Sequence, residues 1–194
     1  RRDDFVIGYH ALNGGMDGLL HESFGKDIFT NFANGNLIEA LRGNEDVYYF
    51  MPGMRYFLFL EKLLFGNNFY LIYLIMIFLP LSIYYFLNIF FKNNISLVIT
   101  VLFLFLNIPH LGFGSSIYYK SLLTLYPEGV MFFFLIIGII NIFNKNFLLG
   151  ALFLSFAIFL RPNFLLFVFL TFFIHLLILF RQNKIKDVIK LIIG

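Results

Sequence analysis

The chain has 194 residues, of which 60% are apolar, 21% are aromatic and only 13% are charged. Ordinary soluble domains are about 45–50% apolar and about 25% charged, and disordered segments are far less hydrophobic. The absence of cysteine excludes a disulfide scaffold and thiol chemistry. Although the formal net charge is +3, the basic residues of the second half stand singly between apolar runs. No nucleic-acid partner is therefore expected.

Charge and hydropathy divide the chain near residue 68. Residues 1–68 carry nine acidic and six basic side chains, a net −3, whereas residues 69–194 carry two acidic and eight basic ones, a net +6. Long apolar runs occur only in the second part. We predict an extracytoplasmic loop over 1–68 and a transmembrane domain over 69–194. Because the last residues continue an apolar run, we expect the chain to be a fragment of a longer protein.

The predicted fold class is all-α, a polytopic membrane helical bundle with about five crossings. The run 69–91 has no charge over 23 residues. At a rise of 1.5 Å per residue it covers roughly 35 Å, enough for a hydrocarbon core of about 30 Å. The shorter runs fit helices that are broken near the interface or that line a cavity. The other predicted crossings are 95–113, 126–143, 147–160 and 164–180.

Lysine and arginine indicate the orientation, because cytoplasmic loops of membrane proteins carry an excess of basic residues. Six bases fall in the loops on one predicted side and two in the loops on the other. We therefore predict a multi-pass plasma (inner) membrane protein with 181–194 on the cytoplasmic side. Residues 1–68, Glu128 and Arg161 then face outward together. The base-rich loops are 92–94, 144–146 and 181–190, and the others are 109–128 and 161–163.

Residues 1–68 contain two stretches with helical apolar spacing. One runs over 22–34 and stops at Gly35, and the other runs over 54–65 and stops at Gly66. Their apolar stripes can form a small core of their own, or both helices can lie in the plane of the membrane interface. The second alternative is favoured, because 68 residues enclose only a marginal core.

The candidate catalytic residues lie before the first of these helices or at its start. Asp3 and Asp4 follow two arginines, and Asp17 lies in a glycine-rich turn with His21 and Glu22 one helical turn beyond. Such an Asp can simply be a turn or cap residue. A carboxylate beside a low-dielectric surface, however, acquires a raised pKa and can accept a proton from a hydroxyl group.

The order of these features resembles the GT-C superfamily. These are multi-pass glycosyltransferases that take sugars from polyprenyl-phosphate carriers, as protein mannosyltransferases and aminoarabinose transferases do. Family members have an outward first loop with an essential Asp and two interfacial helices. The matching residues are Asp3-Asp4 or Asp17, Gly35-Asn36, Tyr48-Tyr49-Phe50-Met51-Pro52-Gly53 and Leu64-Phe65-Gly66.

The resemblance implies an enzyme that moves a sugar from a lipid-linked donor to an acceptor at the outer face, among membrane lipids. A divalent cation, Mg²⁺ or Mn²⁺, is compatible with such a site, but no ligand spacing requires one and no metal residues are assigned. The candidate catalytic residues are Asp3, Asp4, Asp17 and Glu22. The candidate substrate-binding residues are His21, Arg42, Tyr49, Arg55, Lys120, Glu128 and Arg161.

Alternatives remain open for the two outward charges of the membrane domain. Arg161 lies beside a proline between apolar runs, and it can bind a departing phosphate or extend to lipid headgroups. Glu128 follows Pro127 and can open a helix or pair with Arg161. The competing functions are a non-catalytic transporter or flippase-like subunit and a membrane assembly protein.

Overall fold

The computed structural model describes residues 16–43, 52–108 and 113–181. Regular structure in these ranges is helical, apart from one isolated antiparallel bridge between Ile108 and Phe113, so the all-α class is confirmed. The helices are α1 (Met16–Ala33), α2 (Leu37–Arg42), α3 (Pro52–Phe65), α4 (Tyr70–Leu87), α5 (Asn93–Phe105), α6 (Ser115–Leu123), α7 (Pro127–Phe143), α8 (Phe147–Leu160) and α9 (Leu165–Arg181), with a 3-10 turn over Pro162–Phe164.

Most of the predicted apolar runs correspond to helices. The run 147–160 coincides with α8, and the run 126–143 differs from α7 by one residue. α4 continues through Pro80, as apolar helices can when neighbouring groups satisfy the freed backbone. It ends earlier than predicted, at Leu87, because the following residues form turns.

Other regions also differ from the sequence prediction. α5 ends at Phe105, well before residue 113, although 109–112 lie outside the described residues. The predicted loop 109–128 contains a helix, α6, whose serines and Lys120 interrupt the apolar pattern. The short α2 is also absent from the prediction.

Helices α7 and α8 pack closely against each other. They are antiparallel, and a Cβ atom added at Gly138 would lie 2.7 Å from the Leu154 side chain. An added Cβ at Gly150 would lie 2.7 Å from Ile142. The two glycines therefore allow the helix axes to approach closely, as small residues do in helical membrane proteins.

Helices cover the two predicted stretches of residues 1–68, and glycines end them. Gly35 follows α1 with φ +80° and Gly66 follows α3 with φ +68°, the left-handed conformation that glycine adopts without steric cost. The stripe residues Phe24 and Leu58 are buried. The stripe of α3 joins the same core as α7 and α8, so this core is shared with the second half of the chain. An interfacial location for the two helices stays a prediction.

Helix α3 crosses one end of the bundle. Its start packs against the end of α8, because a Cβ added at Gly53 would lie 2.6 Å from the backbone of Leu160. Its last turn reaches the start of α4, where Glu61 accepts a hydrogen bond from the Leu71 N–H. We call this the Arg161 end, defined by Leu160 at the end of α8, the following Arg161, and Pro127–Gly129 of α7.

The outer surface of the bundle is apolar, whereas several polar side chains lie inside. Within the described ranges, two segments are long and apolar enough to cross a membrane, Tyr70–Leu87 with mean hydropathy 2.0 and Pro162–Arg181 with mean hydropathy 2.5. Helices α5, α7 and α8 are apolar but shorter. The most exposed large apolar side chains outside α1–α3 include Ile77, Phe105, Leu148, Leu166 and Phe169.

Candidate functional site

Arg161 and Glu128 form an ion pair at the Arg161 end. Arg161 Nη2 lies 2.7 Å from Glu128 Oε1, and the two side chains are 27% and 38% exposed. A short contact between ionised groups of this kind is a charge-assisted hydrogen bond. The structure therefore shows Glu128 as the partner of Arg161, and it also shows Pro127 and Glu128 in the first turn of α7. Glu128 therefore both pairs with Arg161 and lies in the first turn of a helix.

The start of α7 is held in place by α6. The Ser121 hydroxyl accepts a hydrogen bond from the Gly129 N–H at 2.9 Å and donates one to the Tyr126 carbonyl at 3.2 Å. Between them, Leu125 is buried with φ +58°, a left-handed conformation that is uncommon for leucine. Ser121 was not identified from the sequence, because a helix cap supplied by a residue of the preceding helix follows no fixed sequence spacing. These contacts orient Glu128.

The N-terminal helices pack at the same end. A Cβ atom added at Gly18 would lie 1.9 Å from the Thr124 carbonyl oxygen, so the first turn of α1 touches the turn that precedes Glu128. On α3, the Tyr56 ring stacks on Phe159 with centroids 5.8 Å apart. The first turns of α1 and α3 therefore lie near the turn before Glu128 and the end of α8, respectively.

Glu22 contacts two lysines. Its carboxylate lies 3.6 Å from Lys26 on α1 and 3.6 Å from Lys62 on α3. Lys62 is buried and its ammonium group stands over the Phe69 ring at 5.8 Å from the centroid. Burial lowers the pKa of Lys62, whereas Glu22 raises it. Glu22 thus joins α1 to α3, and the neighbouring His21 is buried as well.

Glu61 caps α4 from the preceding helix. Its Oε1 atom accepts hydrogen bonds from the N–H groups of Leu71 at 2.9 Å and Ile72 at 3.3 Å, while the N-cap residue Phe69 supplies no side-chain bond. Glu61 is 1% exposed, and burial raises its pKa to about 7, against the lowering effect of these hydrogen bonds and of Lys62. The sequence did not reveal this role, because the cap comes from a residue ten positions away.

The other predicted basic residues are placed differently. Arg55 is buried, donates a hydrogen bond to the Gly43 carbonyl and stands over the Phe24 ring at 5.3 Å. Burial also lowers the pKa of Arg55. Arg42 pairs with Glu39 on the exposed side of α2 at 3.3 Å. Lys120 is exposed in the last turn of α6.

Several predicted residues lie outside the described part of the chain. These are Asp3, Asp4 and Tyr49, and for Asp17 only its backbone position in the first turn of α1 is described. In the residues that are described, no three His, Asp or Glu side chains lie close enough together to hold a metal ion.

An apolar groove of about 510 Å³ runs beneath α3. Helices α4 and α8 line its sides, and Phe133 and Phe134 of α7 lie between them. Phe57 and Leu60 border the groove from α3, and Phe156 lies little more than one helical turn before Arg161. The remaining lining residues are Leu71, Leu74, Ile75, Phe78, Leu152 and Phe153. Every lining side chain is a hydrocarbon, so the groove suits an apolar chain.

Comparisons of the chain with protein-family models, curated proteins and solved structures gave no match.

Proposed function

We propose that the chain is embedded in a plasma membrane as a multi-pass protein, with α1–α3 and the Arg161 end on the extracytoplasmic side. The support is the large exposed apolar area of α4, α5, α8 and α9. Soluble monomers rarely expose continuous apolar patches larger than a few hundred Å². The uneven distribution of Lys and Arg between the loops supports the orientation.

At this end the protein transfers a sugar from a polyprenyl-phosphate-linked donor to an acceptor. The ion pair between Arg161 and Glu128 carries this proposal. A guanidinium group fixed by a carboxylate and left partly exposed can bind the phosphate of the donor. Glu128 acts as a positioning residue that orients Arg161, and Ser121 orients the turn that holds Glu128.

The groove beneath α3 gives the hydrocarbon tail of the donor a place to bind. Its lining is entirely apolar, and Phe156 lies near the end of α8 that carries Arg161. A lipid-linked donor needs an apolar channel next to a cationic group, because its tail and its phosphate are joined. In this chain the two features are close in sequence, because Phe156 of the groove lining comes five residues before Arg161.

An aspartate serves as the general base in this proposal. It accepts the proton of the acceptor hydroxyl while the acceptor oxygen bonds to the sugar C1. The bond from C1 to the phosphate oxygen breaks, and Arg161 stabilises the electron pair that this oxygen receives. Asp17 is the favoured base, since the adjacent Gly18 touches Thr124, with Asp3 and Asp4 as the other candidates. Glu22 is assigned a structural role because two lysines hold it.

A transporter is less well supported. The hydroxyls of Ser82, Thr100 and Thr171 donate hydrogen bonds to carbonyls of their own helices. A pathway for a polar solute needs polar groups that face a shared cavity, and the groove lining contains none.

The test is a transfer assay with the full-length protein in lipid vesicles and polyprenyl-phosphate sugars as donors. Asp17→Asn, Asp3→Asn and Asp4→Asn are compared with the wild-type protein, and Asp27→Asn on the exposed side of α1 is the matched control. The proposal predicts transfer by the wild type and the control, and its loss in one of the three candidate variants. No transfer by the wild type, or full activity in all three candidate variants, would contradict it.

A further inference from the structure

Helix α2 exposes its apolar side chains although a hydrogen bond from Tyr56 attaches it to α3. Leu37, Ile38 and Leu41 are 54%, 70% and 76% exposed. Only Ala40 of this helix is buried. Three large apolar residues on six helical positions leave an apolar face that no described part of the chain covers.

The polar side chains of α2 are paired with each other. Glu39 and Arg42 form an ion pair at 3.3 Å, and both are more than half exposed. This pairing leaves one charged edge and one apolar face on a helix of six residues. Such a division of charge and hydrocarbon is typical of segments that lie at the boundary between lipid headgroups and acyl chains.

The attachment of α2 places it beside the end of α8. The Tyr56 hydroxyl donates a hydrogen bond to the Leu41 carbonyl, and the Tyr56 ring stacks on Phe159. Phe159 is 39% exposed and belongs to the apolar surface of α8 that also includes Leu152 and Leu148. Tyr56 therefore links the backbone of α2 to the end of α8, a helix whose exposed apolar surface the proposed function places in the bilayer.

The ends of α1 and α3 extend this exposed apolar area. Phe32 at the end of α1 packs edge-on against Phe59 with centroids 5.6 Å apart and is 42% exposed. Leu60, Leu63 and Leu64 of α3 are exposed as well. By contrast, the middle of the stripes of α1 and α3, including Phe24, Ile28 and Leu58, is buried in protein.

We infer that α2, with the exposed ends of α1 and α3, inserts its apolar face into the outer leaflet and anchors the N-terminal helices to the lipid surface. This inference rests on the membrane placement in the proposed function. It assigns the lipid contact to α2 and to the neighbouring ends of α1 and α3, whereas the middle of the α1 and α3 stripes packs against protein. Anchoring at α2 holds the first turn of α3 against the end of α8.

The test uses single spin labels, which the absence of native cysteine makes straightforward. The full chain is reconstituted in vesicles of phosphatidylethanolamine and phosphatidylglycerol with labels at Ile38→Cys or Leu41→Cys. Glu39→Cys, on the charged edge of the same helix, is the matched control. Collision with oxygen, which concentrates in lipid, is compared with collision with a water-soluble nickel complex.

The inference predicts that labels at 38 and 41 collide preferentially with oxygen, about 5–10 Å below the phosphate plane. The label at 39 should collide preferentially with nickel. Preference for nickel at 38 and 41 would overturn the inference, since the face is then in water. Low collision rates with both reagents would also overturn it, since protein then covers the face.

A label at Ile77→Cys separates failure of this inference from failure of the proposed function. Ile77 is 69% exposed on α4, one of the two candidate spans. Oxygen preference at 77 together with nickel preference at 38 would reject α2 as an anchor and leave the membrane placement intact. Nickel preference at both positions would reject the membrane placement and, with it, the inference.

Discussion

Arg161 Nη2 lies 2.7 Å from Glu128 Oε1, and this contact joins the end of α8 to the first turn of α7. Two apolar helices thus meet through opposite charges at one end of the bundle. Arg161→Gln should lower sugar transfer by about 10²-fold or more, because a preorganised donor to the departing phosphate is lost. The free energy of unfolding should change by less than about 1 kcal/mol, because both side chains are partly exposed.

Both quantities are measured on the purified protein, by transfer assay and by denaturant unfolding in detergent. Arg181→Gln, the same replacement at the exposed end of α9, is the control and should leave activity unchanged. Wild-type activity in Arg161→Gln would remove Arg161 from the proposed site. A loss of activity that only parallels unfolding would mean that the pair is structural.

A substitution at Gly18 tests the contact between α1 and the turn before Glu128. Gly18→Ala places a methyl group at a position 1.9 Å from the Thr124 carbonyl oxygen, so the backbone must move apart. We expect a loss of about 1–3 kcal/mol in the free energy of unfolding and a marked fall in transfer. Ser23→Ala, on the exposed side of α1, should change neither. Equal behaviour of the two variants would show that α1 does not pack on this turn.

The sequence predicted most of the helical framework, because the relevant signals are local. Gly35 and Gly66 end α1 and α3 where the pattern places them, and α8 coincides with the run 147–160. The helix α6 was missed because its serines and Lys120 interrupt the apolar pattern. The length and hydropathy of an apolar run depend on one segment alone, so the sequence predicts the corresponding helix directly.

The contacts of the site were less predictable, because they join distant segments. The Glu61 carboxylate caps α4 and the Ser121 hydroxyl caps α7. Neither contact follows a recognisable spacing in the sequence. The pairing of Glu128 with Arg161 could be raised only as an alternative, on the ground that both face the same side. Arg55, a candidate for binding substrate, is instead buried against Phe24.

Stability should depend on pH through Glu61. Burial raises its pKa from the ordinary 4.5 to about 7. Between these values the native protein holds a proton that the unfolded chain has released. The free energy of unfolding should therefore fall as the pH rises through this range, by up to about 3 kcal/mol.

Glu61→Gln should remove this pH dependence, because its amide oxygen can still accept from Leu71 and Ile72 without an ionisation. The variant should therefore be more stable than the wild type at about pH 8, while the two differ less at about pH 5. Denaturant unfolding in detergent at both pH values measures this difference. Glu39→Gln, an exposed position on α2, should keep the wild-type slope. An identical pH dependence in the wild type and Glu61→Gln would contradict the account of Glu61.

The groove beneath α3 should select donors by their hydrocarbon tails. Leu152→Trp fills part of the 510 Å³ groove, and we expect it to raise KM for a polyprenyl donor. A tenfold increase corresponds to about 1.4 kcal/mol of binding free energy. A donor with a short tail should be unaffected, because it does not reach the groove. Leu148→Trp, on the same helix but outside the groove lining, is the control. The same KM change with both donors, or with both variants, would argue against a tail site.

The central claim is that α1 and Arg161 meet on one side of a membrane, opposite the base-rich loops. Single cysteines at Ser23 and Asn163 test it with a membrane-impermeant maleimide on intact cells, against cysteines at Asn94 and Asn144; all four positions are exposed. The account predicts that 23 and 163 react in intact cells and that 94 and 144 react only after permeabilisation. Labelling of 23 and 163 from opposite sides would contradict it, since the ion pair could then share no pocket with the N-terminal acids.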